Sequence, residues 1–146
     1  MQATVGDFYI HNKMYTKAEA IYENMLSIDG QNSSYYNNLA WIKQSLNKLD
    51  EALVAAQSAM SLSEDNPYFM DTIGYIEYKR GNLDAAYKHL SRAAKMLPNV
   101  PDVQLHYSEL LITLDFNQKA ANILRQLKTQ SPQQAAKKEQ LLNSTK

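Results

Sequence analysis

The three histidines are the side chains of this sequence best suited to acid–base or metal chemistry, and their placement favours neither. His11, His89 and His106 lie far apart in the 146 residues, and none has a second histidine four residues away or a carboxylate at metal-ligand spacing. The sequence has no cysteine, which excludes thiolate ligands and thiol nucleophiles. We therefore predict no catalytic residues, no metal site, no cofactor and no enzymatic activity.

The charged residues also argue against phosphate or nucleic-acid chemistry. Fifteen acidic residues balance fifteen lysines and arginines, and only three of these are arginine, the residue best suited to phosphate. Asp50-Glu51 and Glu64-Asp65 are paired carboxylates, but we expect each pair at a helix start, where acidic groups complement the helix dipole. No apolar run is long enough to cross a membrane. We expect neither a nucleic-acid partner nor a membrane span in this chain.

A 34-residue repeat organises the elements that carry these side chains. It is marked by alanines at Ala18, Ala52, Ala86 and Ala120. Twelve residues before each alanine stands a small residue: Gly6, Ala40, Gly74 and Ser108. Turn residues fall between the two markers at Lys13-Met14, Asn47-Lys48, Gly81-Asn82 and Asp115-Phe116. Apolar residues at helical spacing flank each turn, which predicts four helical hairpins whose two helices cross at the small residues.

These columns, with the closing prolines Pro98 and Pro132, resemble the tetratricopeptide repeat. The resemblance covers residues 1 to about 134 and implies an all-α, right-handed superhelical solenoid of four hairpins. The repeats would span about 1–32, 33–66, 67–100 and 101–134, with 135–146 as a short C-terminal capping helix and tail. Lys43 and Glu77 stand where the family usually has tyrosine. We expect them either to disturb the local packing or to reach toward each other across adjacent repeats.

In such a solenoid the first helix of each hairpin lines the concave surface. Residues of these helices outside the packing columns predict a partner-binding groove: Asp7, Asn37, Asn38, Trp41, Gln44, Asp71, Thr72, Tyr75, Tyr78, Lys79, His106 and Glu109. Trp41, Tyr75 and Tyr78 should lie near one another as interface anchors. The alternative is that Trp41 packs against a neighbouring hairpin and that the acidic residues form a solvated face.

The charges of this groove indicate the kind of ligand. The predicted groove residues include three acidic side chains, Asp7, Asp71 and Glu109, and a single lysine, Lys79. Family members that grip chaperone C-termini use a lysine–asparagine–arginine clamp, and of the corresponding positions here only Asn38 matches. We therefore expect a protein or peptide ligand that is neutral or basic, extended or helical, rather than a C-terminal carboxylate. The predicted function is that of a non-catalytic binding scaffold.

A finer resemblance suggests a pathway. The stretches Asn37–Trp41, Asn66-Pro67 through Asp71–Tyr75, and His106-Tyr107 are similar to tetratricopeptide proteins of bacterial exosortase (PEP-CTERM) sorting and exopolysaccharide export. This resemblance implies a role in a bacterial envelope export, sorting or assembly pathway, and a periplasmic or envelope location rather than a cytoplasmic one. The alternative is the substrate-docking or regulatory part of a larger enzyme, such as a glycosyltransferase or a protease.

The first repeat lacks a good helix cap, and its apolar residues Val5 and Phe8 would have no neighbour on one side. Repeat arrays need polar capping units at their ends. We therefore expect the chain to be a piece of a longer array; the alternative is a first helix that is frayed. Self-association through residues 2–9 is a third hypothesis.

Overall fold

The apolar columns of the sequence form helices throughout the described chain. The computed structural model describes residues 2–146, with side chains from residue 5 onward. No strand occurs in that range, and its helices are α1 (Gln2–His11), α2 (Tyr15–Ile28), α3 (Ser33–Ser45), α4 (Leu49–Leu62), α5 (Pro67–Arg80), α6 (Leu83–Met96), α7 (Pro101–Thr113), α8 (Asn117–Gln126) and α9 (Pro132–Ser144).

The first eight helices form four consecutive hairpins. α1 packs on α2, α3 on α4, α5 on α6 and α7 on α8, and each second helix packs on the first helix of the next hairpin. α5 also contacts α3 on one side and α7 on the other, so α3, α5 and α7 lie side by side along one face. α9 packs on α7 and α8. The predicted all-α tetratricopeptide-type solenoid is confirmed.

One backbone feature recurs at every hairpin turn. Lys13, Asn47, Gly81 and Asp115 have positive φ angles of 57°, 59°, 83° and 63°. The backbone N–H that follows each of them bonds to a carbonyl oxygen five residues earlier, on Tyr9, Lys43, Glu77 and Leu111 in turn. This is the Schellman arrangement, which ends a helix and reverses the chain. Of the four, only Gly81 is a glycine, so the other three turns hold a side chain in the left-handed region.

The marker residues of the repeat lie where helices approach most closely. Ala18, Ala52, Ala86 and Ala120 are all 0% exposed. A Cβ at Gly6 would stand 2.7 Å from Tyr22 Cε2, and one at Gly74 would stand 2.7 Å from Leu90 Cγ. Larger residues at these positions would push the two helices of a hairpin apart. The columns read from the sequence are therefore packing columns.

Lys43 and Glu77 do not pair, so the expected contact between them is wrong. Residue 43 faces α2 of the preceding repeat and its own α4, and the nearest carboxylates belong to those helices. The buried Lys43 ammonium contacts three of them: Glu19 at 3.0 Å, Glu23 at 3.1 Å and Glu51 at 2.7 Å. Glu77 instead lies 3.0 Å from Arg80. Lys43 therefore joins helices of two repeats without reaching α5.

Glu19, Glu23, Lys43, Lys48 and Glu51 form an ion cluster whose buried members stay charged. Burial by itself would lower the pKa of Lys43, but hydrogen bonds to Glu51, Glu19 and Glu23 raise that pKa above its ordinary value. Burial would likewise raise the pKa of Glu19, but hydrogen bonds from Lys48 and Lys43 lower it overall. The cluster offsets the cost of burying its charges by satisfying each of them.

The structure differs from two local predictions. The last helix begins at Pro132, which the repeat pattern places at the end of repeat four. Ser131 accepts a hydrogen bond from the Gln134 N–H, so proline at the first helical position starts a helix here. Glu64 and Asp65 lie in the turn before α5 rather than in a helix, and Asp65 pairs with Arg92 at 2.8 Å.

At the N-terminal end, Val5 is 42% exposed and Phe8 is 60% exposed. The prediction about a missing cap at Met1 lies outside the described residues. Within residues 2–146 no helix combines the length and apolar character needed to cross a membrane.

Candidate functional site

The concave face carries a stack of aromatic rings from three hairpins. The ring centroid of Trp41 on α3 lies 5.6 Å from that of Tyr75 on α5 and 5.3 Å from that of His106 on α7. Tyr75 and His106 are stacked at 4.2 Å, and Tyr78 lies 5.8 Å from Tyr75. These four rings, here called the aromatic stack, are each half-buried. They thus present ring surface to the groove while packing on one another.

Asp71 holds His106 in the aromatic stack. Nδ1 of His106 lies 2.9 Å and 3.0 Å from the two carboxylate oxygens of Asp71. A ring nitrogen beside a carboxylate carries the proton and donates it, which fixes the tautomer and the orientation of the ring. Asp71 is only 5% exposed, and among the described residues this imidazole is its hydrogen-bonding side chain. The carboxylate therefore keeps lone pairs for a further donor.

The two tyrosines of the aromatic stack form hydrogen bonds to side chains of α7. The Tyr75 hydroxyl donates to Glu109 at 3.3 Å, and the Tyr78 hydroxyl lies 3.0 Å from Thr113 Oγ1. The Lys79 ammonium lies over both tyrosine rings, 5.1 Å and 5.8 Å from their centroids. Burial, together with the Glu109 carboxylate, raises the pKa of Tyr75 above its usual range. The phenol therefore remains a proton donor across the physiological range.

A cavity of about 380 Å³ opens beside Trp41, between α3, α5 and the start of α7. No lysine or arginine of the described chain lines it. Asn37 is one of the lining residues, and its amide oxygen is buried with no hydrogen-bond donor within residues 5–146. The polar and aromatic lining consists of Asn37, Trp41, Tyr68, Asp71, Thr72, Asp102 and His106. This region, here called the Trp41 cavity, is acidic, aromatic and incompletely satisfied.

Most of the residues predicted for the groove come together in this region. Asn37, Trp41, Asp71, Thr72 and His106 line the Trp41 cavity. Tyr75, Tyr78, Lys79 and Glu109 surround the other edge of the aromatic stack. Thr72 is 1% exposed, and its hydroxyl donates to the Tyr68 carbonyl oxygen. The role of these residues in binding stays a prediction.

Asp7 and Asn38 belong to a different group. The Tyr22 hydroxyl donates to Asp7 Oδ1 at 2.5 Å and accepts from Asn38 Nδ2 at 3.0 Å. Their hydrogen-bonding capacity is thus used between the first two hairpins, away from the aromatic stack. Gln44 is half-buried, and within the described chain its side chain forms no hydrogen bond to the stack.

Sequence reasoning missed two of the polar and aromatic residues that line the Trp41 cavity, besides the two valines of the lining, Val100 and Val103. Tyr68 stands one helical turn before Thr72, and Asp102 stands one turn before His106. Residues four apart share a helix face, so this spacing could have identified both. Both lie in the first turn of a helix, where a side chain is more readily assigned to capping. At no place in the described residues, the Trp41 cavity included, do three His, Cys, Asp or Glu side chains gather as a metal site.

Two family models of the tetratricopeptide repeat match the chain, one over residues 33–66 and the other over residues 77–141. Together the matches cover more than half of the sequence. With the helical hairpins described above, they establish that the chain belongs to the tetratricopeptide repeat proteins.

The relatives agree with this assignment. The chain is 35% identical over 96 residues to the TPR repeat-containing protein MJ1428 of Methanocaldococcus jannaschii, a match that spans 66% of this chain and 17% of that protein. The crystal structure of TTC0263, a thermophilic TPR protein of Thermus thermophilus, superposes with a TM-score of 0.84 at 18% identity, over 98% of this chain and 80% of that one. PcrH in complex with the chaperone-binding region of PopD superposes with a TM-score of 0.65 at 18% identity, over 78% and 86% of the two chains.

Proposed function

We propose that this protein is a non-catalytic interaction scaffold that binds a peptide or protein segment in its concave groove. The observation that carries the proposal is the aromatic stack, which places half-buried rings from three hairpins beside the Trp41 cavity. Rigid aromatic rings bury much area at little entropic cost, as interface anchors do. The structure of PcrH with a PopD region offers support, because there a protein of the same fold holds a segment of another chain.

The charges favour a neutral or basic segment. Asp71 and Asp102 line the Trp41 cavity, and Glu109 lies at the other edge of the aromatic stack. Lys79 covers tyrosine rings, and Lys137 of α9 lies 3.5 Å from Glu109. An acidic C-terminus would meet two carboxylates in the cavity and no lysine or arginine of the described residues. Repulsion of this kind excludes wrong ligands as effectively as attraction selects right ones.

Trp41 is the one tryptophan of the sequence, so its fluorescence reports directly on the groove. The experiment selects binders from a phage-displayed library of random twelve-residue peptides and titrates synthetic versions of them into the protein. We expect the Trp41 emission to change on binding and acrylamide quenching to fall. Trp41→Ala, followed through a labelled peptide, and Tyr75→Ala should each lower affinity at least tenfold.

The matched control is Phe116→Ala, which removes an aromatic residue that is 53% exposed at a hairpin turn outside the groove. Its affinity for the same peptides should equal that of the wild type. The proposal is wrong if no peptide binds, or if the three variants lose affinity equally.

We propose further that the scaffold works in a bacterial envelope pathway for export, sorting or assembly, and lies in the periplasm or at the envelope. The support is the likeness of Asn37–Trp41, Asp71–Tyr75 and His106-Tyr107 to exosortase-linked repeat proteins. Fractionation of the source cells, followed by immunodetection, tests the location. Recovery in the cytosol alone would overturn this part of the proposal.

A second candidate function is that of a docking module in a larger enzyme. It is favoured by the curated relative, of whose length the chain spans 17%. The discriminating observation is the complete reading frame: a glycosyltransferase or protease domain beside the repeats would establish this alternative.

Self-association is a separate proposal, supported by Val5 and Phe8, which are 42% and 60% exposed on α1. Analytical ultracentrifugation over a concentration range tests it. Phe8→Ser should abolish any dimer that forms through α1, whereas a monomer at every concentration would dismiss the proposal.

A further inference from the structure

The Trp41 cavity has the charge of a cation receptor. Two carboxylates, Asp71 and Asp102, line it, and no lysine or arginine of the described residues does. The side chain of Asp71 is only 8% exposed, and its partner is an imidazole. A carboxylate shielded from water in this way attracts a cation more strongly than one at the surface. We propose, building on the groove function above, that this cavity is a subsite for one arginine side chain of the bound segment.

The walls of the cavity suit a flat cation. Trp41 and His106 form part of one wall with their rings tilted by 31°, and Tyr68, which is 52% exposed, stands at the mouth. A guanidinium is planar and weakly hydrated, so it stacks on an aromatic face while its edge stays free to donate. The ammonium of lysine is compact and strongly hydrated, and it leaves the flat face of Trp41 without a matching surface.

The acceptors of the cavity are the carboxylate oxygens of Asp71 and Asp102. Asp71 is hydrogen-bonded to the His106 ring, and Asp102 Oδ1 accepts from Gln134 Nε2 at 3.0 Å, so each carboxylate keeps lone pairs for a further donor. A guanidinium carries five N–H groups in a fixed fork and can bond one carboxylate through two of them at once. The three donors of an ammonium lack the planar fork that would keep the group flat on Trp41.

A second groove of the molecule carries the opposite charge. It runs between α6 and α8 and is lined by Arg92, Lys95 and Lys119, and by no carboxylate from the described residues. The N-terminus of α7 contributes positive potential to the Trp41 cavity, but Asp102 stands in its first turn and offsets it. A basic side chain is thus favoured in the Trp41 cavity over this second groove.

Two small probes test this subsite without a known partner: Nα-acetyl-arginine amide and Nα-acetyl-citrulline amide, which have nearly the same shape and differ in charge. Each is titrated into the ¹⁵N-labelled full chain while the Trp41 indole N–H and the backbone N–H of Asn37 and His106 are followed by NMR. We expect saturable shifts with the arginine probe and at least fivefold weaker binding of the citrulline probe. Asp102→Asn should lower the affinity for the arginine probe three- to tenfold.

The matched control is Asp84→Asn. Asp84 is the second residue of α6, as Asp102 is of α7, so the control removes the same charge from the same helical position outside the cavity. It should leave arginine binding unchanged. Equal binding of the two probes, no saturable binding of the arginine probe, or an equal effect of the two substitutions overturns the subsite. If library peptides still bind in a way that depends on Trp41, the arginine subsite is wrong but the proposed groove function is retained.

Discussion

The ion cluster around Lys43 and the Trp41 cavity are both polar regions set among packed helices, and they differ in how completely they are satisfied. Lys43 meets three carboxylates within 3.1 Å, and Lys48 lies 2.8 Å from Glu19. In the cavity, Asp71 has an imidazole for a partner and the Asn37 amide oxygen has no donor from the described residues. Charged and polar groups whose hydrogen bonds are all made within the protein stabilise the fold. Groups that still lack a partner favour the binding of a ligand that supplies one.

The largest effect that tests this comparison is expected at Lys43. Lys43→Ala leaves the buried Glu19 carboxylate with Lys48 as its remaining cation, and we expect the free energy of unfolding to fall by about 3–5 kcal/mol. Urea denaturation of the two proteins measures the change. Lys48→Ala is the control, because the Lys48 side chain is 43% exposed and its loss should cost about 1 kcal/mol or less. Equal losses in the two variants would show that burial does not distinguish them.

The pH dependence of stability should come from the ion cluster. The pKa of Glu19 is lowered in the fold, so the stability it contributes is present above its ordinary pKa of 4.5 and is lost as pH falls through the folded value. The wild type should therefore lose stability in acid. In Glu19→Gln this loss should be smaller, because the variant already lacks the contribution at neutral pH. Urea midpoints measured between pH 3 and pH 7 give the two profiles, and parallel profiles would contradict the assignment.

Charge removal in the cavity should affect stability less than charge removal in the ion cluster. Asp71→Asn keeps an oxygen that accepts the His106 Nδ1–H, so we expect a loss of about 1 kcal/mol or less in the free energy of unfolding. The same variant should bind the arginine probe more weakly, in the NMR titration described above. A loss as large as that of Lys43→Ala would place Asp71 among the structural ion pairs and break the comparison.

The smallest effect is expected at the long hydrogen bond from Tyr75 to Glu109. Tyr75→Phe keeps the ring in the aromatic stack and removes a 3.3 Å contact, so the free energy of unfolding should change by about 0.5–1 kcal/mol. Thermal unfolding followed by circular dichroism measures it. Peptide affinity should stay within about twofold of the wild type if the ring face, rather than the hydroxyl, contacts the ligand. A larger loss of affinity would assign the hydroxyl to binding.

Much of the fold could be predicted because each repeated position of the sequence has a residue type that local helix packing or turn geometry requires. The alanines and small residues mark close helix contacts, and Asn47, Gly81 and Asp115 are turn residues whose left-handed backbone recurs with the repeat. The partners of Lys43 were not predictable in this way. A 34-residue period gives equivalent positions on successive helices, but it does not say whether a long side chain turns toward the preceding or the following repeat.

The candidate groove shows the same limit. Helical spacing placed Trp41, Tyr75 and Tyr78 on one face, and the structure brings these rings together. Helical spacing could not separate Asn37, which lines the Trp41 cavity, from Asn38, whose amide bonds to Tyr22. Adjacent residues of a helix point about 100° apart, and which of the two faces a cavity depends on how the hairpins are rotated against each other. That rotation is a property of tertiary packing.

The aromatic stack also has a mechanical consequence. Most helix contacts of the solenoid are between neighbouring hairpins, so small rotations between successive hairpins add up to bending of the whole array. The rings of Trp41, Tyr75 and His106 come from three successive hairpins and touch on the inner side of the bend. Because these rings already pack on one another, they would resist further closing of the array at this point. A segment inserted among them would hold the hairpins further apart, so binding would limit the bending of the scaffold and set its curvature.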